Sequence, residues 1–85
     1  MDIITIIGYK DTNFTTQDGK KIMGTTYFFT MKEDRTVGLM AGKMFMTSEK
    51  IQQLNYIPRQ GDVLKCYYDR YGKPVEFVPY EGEDF

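Results

Sequence analysis

Three glycines, Gly8, Gly38 and Gly42, stand inside segments that otherwise have the residue types of β-strands. Asp2 to Lys10 is rich in β-branched residues around Gly8, and Thr36 to Met46 is interrupted by Gly38 and Gly42. Glycine weakens a strand unless the sheet must bend there or another backbone must come close. Together the three predict strongly coiled strands, such as those that close a small barrel. With 85 residues the chain has room for one such domain and no second.

The remaining elements follow from turn and cap signals. Gly24 to Lys32 has strong strand preference. Before it, Asn13 to Lys21 carries the Asp18-Gly19 signature of a tight turn. Glu33-Asp34-Arg35 is a second polar turn. At Thr47 the period changes. Thr47 and Ser48 offer a capping hydroxyl and Glu49 an acid in the first turn, while Ile51 and Leu54 follow at helical spacing. Asn55 through Pro58 ends this helix after two to three turns at most. Val63 to Arg70 and Pro74 to Tyr80 read as two further strands, joined by a hairpin turn at Tyr71-Gly72-Lys73. The order is three strands, one short helix and two strands. That is the order of an all-β, five-stranded OB-fold-like barrel over residues 1–80. An SH3-like barrel is the competing architecture.

Composition removes several chemistries. The chain has no histidine, the commonest general base and metal ligand, and its single cysteine, Cys66, cannot form an internal disulfide or a thiolate zinc site. Asp62, Asp69 and Glu76 alternate with Lys65, Arg70 and Lys73, which is the pattern of solvated cross-strand pairs and not of a hydrolytic site. No phosphate loop follows the glycines. The expectation is a cytoplasmic protein that is not an enzyme, needs no cofactor or metal, and does not enter a membrane.

What remains is aromatic residues interleaved with bases: seven Tyr and six Phe among eleven Lys and Arg. Alternation puts Tyr27, Phe29 and Met31 on one face of the second strand and Phe28 on the other. Lys43 shares a face with Val37, Leu39, Ala41 and Phe45, and Lys65 shares one with Tyr67, opposite Leu64, Cys66 and Tyr68. The last hairpin adds Arg70, Tyr71 and Lys73, and the first hairpin Lys20 and Lys21. A single-stranded nucleic acid needs flat rings for its bases and cations for its phosphates. A barrel this small must also fill its interior, and Phe14, Phe28 and Phe77 are the expected core rings. For Tyr27 and Tyr67 both stacking and packing stay open, since tyrosine serves either.

A net charge of −1 looks wrong for a nucleic-acid binder, but the acids are unevenly placed. Glu81, Glu83 and Asp84 fall within the last five residues, leaving nine acids against eleven bases in residues 1–80. Residues 81–85 therefore form an acidic tail ending in Phe85, able to compete for a basic groove or to seat in a partner's pocket.

Phe14-Thr15-Thr16, followed by Gly19, Gly24 and Tyr27, resembles the first hairpin of the filamentous-phage gene-five-like (helix-destabilising) single-stranded-DNA-binding proteins. The likeness covers roughly residues 13 to 27. It implies an OB-type barrel that dimerises and coats single-stranded DNA with little sequence preference. It gives Tyr27 a ring that contacts the nucleic acid. Where the family has hairpin arginines this chain has Gln17 and Ile22, with Lys20 and Lys21 nearby. The tail tip Glu83-Asp84-Phe85 is similar instead to those of other phage and bacterial single-stranded-DNA-binding proteins, which implies replication proteins as partners.

The expected function is sequence-tolerant binding of single-stranded DNA in replication or recombination, by a homodimer of phage or mobile-element origin. Lys20, Lys21, Lys43, Lys65, Arg70 and Lys73 neutralise phosphates in this reading, while Tyr27, Phe29, Tyr67 and Tyr71 stack bases. The alternative is a small β-barrel interaction or inhibitor module that presents a Met40, Met44 and Met46 strip to a host protein. RNA binding is a third class, although the chain lacks a ribonucleoprotein signature.

Overall fold

β-Branched side chains fill positions 3 to 7. In the computed structural model, which describes residues 1–80, they open a strand that continues far beyond them. Strand β1 spans Asp2–Thr15 and β2 Lys21–Met31. Strand β3 (Met40–Thr47), helix α1 (Ser48–Gln53), β4 (Val63–Tyr68) and β5 (Pro74–Pro79) follow. The fold is all-β with one short helix after the third strand, as expected.

The first hairpin is longer than its residue types suggest. Its turn narrows to five residues, closed by the Thr16 amide donating to the Lys20 carbonyl (2.8 Å) and the Gly19 amide to that of Thr16 (2.9 Å). The ladder between β1 and β2 holds as far as Thr15 opposite Lys21. Asp11, Asn13, Thr15, Lys21 and Met23 are all exposed, so this end of the hairpin is an arm reaching past the core.

The third strand starts at Met40, four residues later than expected. Glu33 turns the chain here, its carboxylate accepting from the Arg35 amide (2.8 Å) and the Thr36 hydroxyl (2.9 Å). Gly38 then adopts φ +86°, which no extended strand allows. The three glycines thus have three separate causes. Gly38 belongs to a loop, Gly8 follows a β-bulge between Ile6 and Gly8, and Gly42 lies opposite Phe29, whose ring takes the space a side chain would need.

The helix begins as its cap residues predict: Thr47 Oγ1 accepts from the Lys50 amide at 3.2 Å, with Glu49 in the first turn. It is only six residues long. Ile51, Leu54 and Tyr56 pack against the core from this segment. The Tyr56 hydroxyl donates to Asp62 (2.8 Å), which also accepts from the Arg59 amide (2.8 Å) and so closes the loop into β4.

All strand pairs are antiparallel, in the order β3-β2-β1-β4-β5. The barrel expected from the sequence is not closed. No Cα of β3 lies within 8 Å of one of β5. Closure depends on the approach of two strands separated by a helix and a further strand, and no local propensity encodes that.

One face of the sheet carries the core: Ile4, Ile6, Tyr27, Met46, Leu64, Cys66 and Phe77, with Phe29, Met31 and Met44 packed beside them. Of the three expected core rings only Phe77 is inside. Phe28 neighbours Tyr27 and so faces the other way, and Phe14 lies on the arm, 48% exposed. Cys66 is a small buried strand residue, and burial pushes its thiol pKa up.

Candidate nucleic-acid interface

The bulge at Ile6/Gly8 decides which side chains of β1 meet solvent. Before it, even-numbered Ile4 and Ile6 point into the core. After it, Tyr9 pairs with buried Tyr27 on the inner face, their rings 5.6 Å apart. Lys10, Thr12 and Phe14 are thereby turned to the outer face. The register sets Lys10 opposite Thr26, Thr12 opposite Gly24 and Phe14 opposite Ile22. On the other side of β2, Thr26 faces Phe45 and Phe28 faces Lys43.

Three rings and two ammonium groups therefore share the outer surface of β1, β2 and β3. Phe14 and Phe45 stack at 5.6 Å in a tilted pair, and Lys10 Nζ stands 5.9 Å from the centre of the Phe28 ring. The Thr12 and Thr26 hydroxyls hydrogen-bond across the strands at 2.8 Å. These residues line an open depression of about 350 Å³. Phe14 and Phe45 are 48% and 38% exposed, so ring area that the core could have taken is left in water. Flat apolar rings beside cations are what a base and its phosphate each require.

Of the residues singled out from the sequence, Lys43 lies in this depression. Lys20 and Lys21 are exposed at and beside the turn of the arm. That turn is shaped by Asp18, whose carboxyl is held below its usual range by hydrogen bonds from the Thr16 hydroxyl and the Lys20 backbone. Lys65 and Tyr67 face outward on β4, but Lys65 stacks on Tyr80, its Nζ 5.6 Å from that ring. Arg70, Tyr71 and Lys73 sit on the β4–β5 turn, with Arg70 over the Tyr71 ring at 5.3 Å. Asp69 fixes that turn by accepting from the Tyr71 (2.8 Å) and Lys73 (3.0 Å) amides, and these bonds lower its pKa.

Several expectations are corrected. Tyr27 is 3% exposed and forms part of the core, so its ring is closed to a base, and burial raises its phenol pKa. Phe29 packs against the core on the same face and covers Gly42. The binding residues expected on the two hairpins do not share one surface. The β1–β2 turn lies past the carboxyl end of β1, and the β4–β5 turn past its amino end. The methionine strip is not an outer surface either, since Met46 is buried and Met44 packs on the core. Glu83, Asp84 and Phe85 lie outside the described residues.

Lys10, Phe14, Phe28 and Phe45 were not among the expected binding residues, and Phe14 and Phe28 were expected in the core. Simple alternation was enough to place Phe45 beside Lys43. It could not place Lys10 and Phe14, because the bulge reverses the facing of β1 midway.

Among the described residues no cluster of three or more acids and cysteines is disposed to hold a metal. No helix in the same residues is long and apolar enough to cross a membrane. No family model, curated protein or solved structure matches the chain.

Proposed function

We propose that the outer face of β1, β2 and β3 binds single-stranded DNA with little sequence preference. The observation that carries this reading is the grouping of Phe14, Phe28 and Phe45 with Lys10 and Lys43 on a surface that buries none of them in the core. The strand order, with its helix after the third strand, supports taking the sheet as an opened OB-type barrel. In such folds the surface of the second and third strands is the one that takes oligonucleotides. The base-contacting part that the filamentous-phage likeness gives to Tyr27 passes here to Phe28 and Phe45, across the sheet from it.

The mechanism is passive. Bases stack on rings, phosphates sit by Lys10, Lys43 and the arm lysines Lys20 and Lys21, and the strand is held open because duplex offers no free base faces. A role in replication or recombination, in the cytoplasm and of phage or mobile-element origin, completes the reading. A homodimer belongs to it as well, since one face of this size holds few nucleotides.

Fluorescence anisotropy of a labelled oligo-dT at low salt tests it. Affinity is expected to fall steeply with added salt, and Lys43→Ala to flatten the logarithmic salt slope by about 0.7, one phosphate contact on a single strand. Phe14→Ala is expected to weaken binding roughly 5- to 150-fold, the loss of one stacked base. Arg59→Ala, in the loop before β4, serves as the unchanged control. Salt-independent binding, or Lys43 and Phe14 variants that bind as the native chain does, would overturn the proposal. Matched RNA and duplex competitors report the preference for DNA and for single strands.

A further inference from the structure

The open sheet leaves two free edges among the described residues, and they are built differently. Strand β5 has six residues, begins and ends in proline (Pro74 and Pro79), and pairs with β4 through a register shift at Tyr67/Tyr68. Short length, prolines, irregular pairing and charged side chains are the means by which proteins keep an edge from recruiting another strand. Strand β3 has only the last of these, in the single charge of Lys43. Its eight residues pair with β2 without a break, from Gly24 opposite Thr47 to Met31 opposite Met40, and they include no proline. Its outer-facing residues Ala41, Lys43 and Phe45 are exposed.

We infer that the β3 edge is the dimer interface, occupied by β3 of a second copy of this chain in antiparallel pairing. The inference rests on the dimer in the reading above and names its surface. A two-fold pairing must match outer-facing residues with outer-facing residues, which limits the choice of register. Two registers pair seven residues of the eight. Centring on Lys43 sets two ammonium groups directly opposite each other, a destabilising arrangement. Centring on Met44 instead sets Lys43 against Phe45 of the second copy, twice by symmetry, and Ala41 against Thr47. This second register replaces like-charge repulsion with two cation–ring pairs.

The pairing also extends the nucleic-acid face. Lys43 and Phe45 border the β3 edge of the depression, so two copies bring their depressions together on one side of a continuous sheet. The combined face crosses six strands, about 24 Å at ordinary strand spacing. The site of one copy is completed by the rings and cations of the other.

Sedimentation equilibrium without nucleic acid tests the interface separately from DNA binding. The native chain is expected at about 20 kDa, twice its 10.0 kDa. Phe45→Lys sets a new ammonium group against Lys43 of the second copy and is expected to weaken the dimer about tenfold or more, with an unchanged circular dichroism spectrum. Adding Lys43→Glu to Phe45→Lys restores opposite charges in this register alone, and the dimer returns. Met44→Cys sits on the two-fold axis, where facing Cα atoms are about 4.5–5.5 Å apart, within disulfide reach, and oxidises to a covalent dimer. A native chain that stays monomeric at tens of micromolar overturns the inference. So does a dimer that ignores Phe45→Lys and leaves Met44→Cys unlinked. Either result leaves oligo-dT binding by Lys43 and Phe14 standing if those variants behave as expected, so the two readings fail separately.

Discussion

The ring of Phe45 occupies the place where a side chain of Gly24 would stand. A Cβ at position 24 would lie 2.7 Å from Cζ of Phe45 and closer still to the carbonyl oxygen of Met46. Gly24 thus lets an aromatic residue of β3 lie flat across β2, and this brings Phe45 to Phe14 on β1. The glycine is buried although its strand's outer face is open. One small residue in the middle of the sheet assembles two of the three rings in the candidate site.

Gly24→Ala is therefore expected to destabilise the fold by roughly 1–3 kcal/mol, the range for overfilling a packed position, because a backbone carbonyl cannot swing aside. Gly42→Ala meets only the Phe29 ring, at 2.9 Å from Cζ, and a ring can tilt. Urea unfolding midpoints should show the Gly24 variant losing clearly more than the Gly42 variant. Equal losses would mean that the carbonyl contact at Gly24 is not what matters.

Tyrosine reactivity should follow burial. Tyr71 is 74% exposed on its turn, and Tyr27 is enclosed by the core. Treatment with tetranitromethane, read by peptide mass spectrometry, is expected to modify Tyr71 first and Tyr27 only once urea unfolds the chain. Modification of both at one rate would put Tyr27 back among the rings open to a base.

Stability should decline on the alkaline side. Burial raises the pKa of Cys66 from 9.0 and of Tyr27 from 10.0. Tyr68 is raised also, by burial and by its hydroxyl bond to Asp2 at 2.7 Å. A raised folded-state pKa means that the unfolded chain loses its proton first as pH climbs. The stabilisation is complete below about pH 9 and is lost as pH rises through the folded-state values. Melting temperature measured from pH 7 to 11 is expected to hold and then fall, with a shallower fall in Tyr68→Phe. A midpoint that rises across this range would contradict the upward shifts of these groups.

Thr47→Ala removes the hydroxyl that accepts from the Lys50 amide and is expected to cost about 1 kcal/mol. A helix of six residues has little stability of its own, so the loss should reach Ile51 and Leu54, which it presents to the core. Thr47→Ser keeps an acceptor and should recover most of the difference in thermal unfolding.

Local chemistry alone determined a good deal of this protein. The turn at Asp18-Gly19, the capped helix at Thr47, five strand segments and the shared face of Lys43 and Phe45 all follow from neighbouring residues, where propensity and two-residue alternation act directly. Four matters were left to the tertiary structure. The bulge at Ile6/Gly8 shifts the facing of β1 by one residue, which sends Lys10 and Phe14 outward with Phe28. Tyr27 is tyrosine, fit for core or surface, and only its place in the buried cluster with Ile4, Ile6 and Met46 makes it core. The gap between β3 and β5 is a distance between strands far apart in sequence, and no single segment carries it. The association of Phe14 with Phe45 across Gly24 needs three strands in register at once. A chain encodes its strands one at a time, but a binding face arises only where several of them meet.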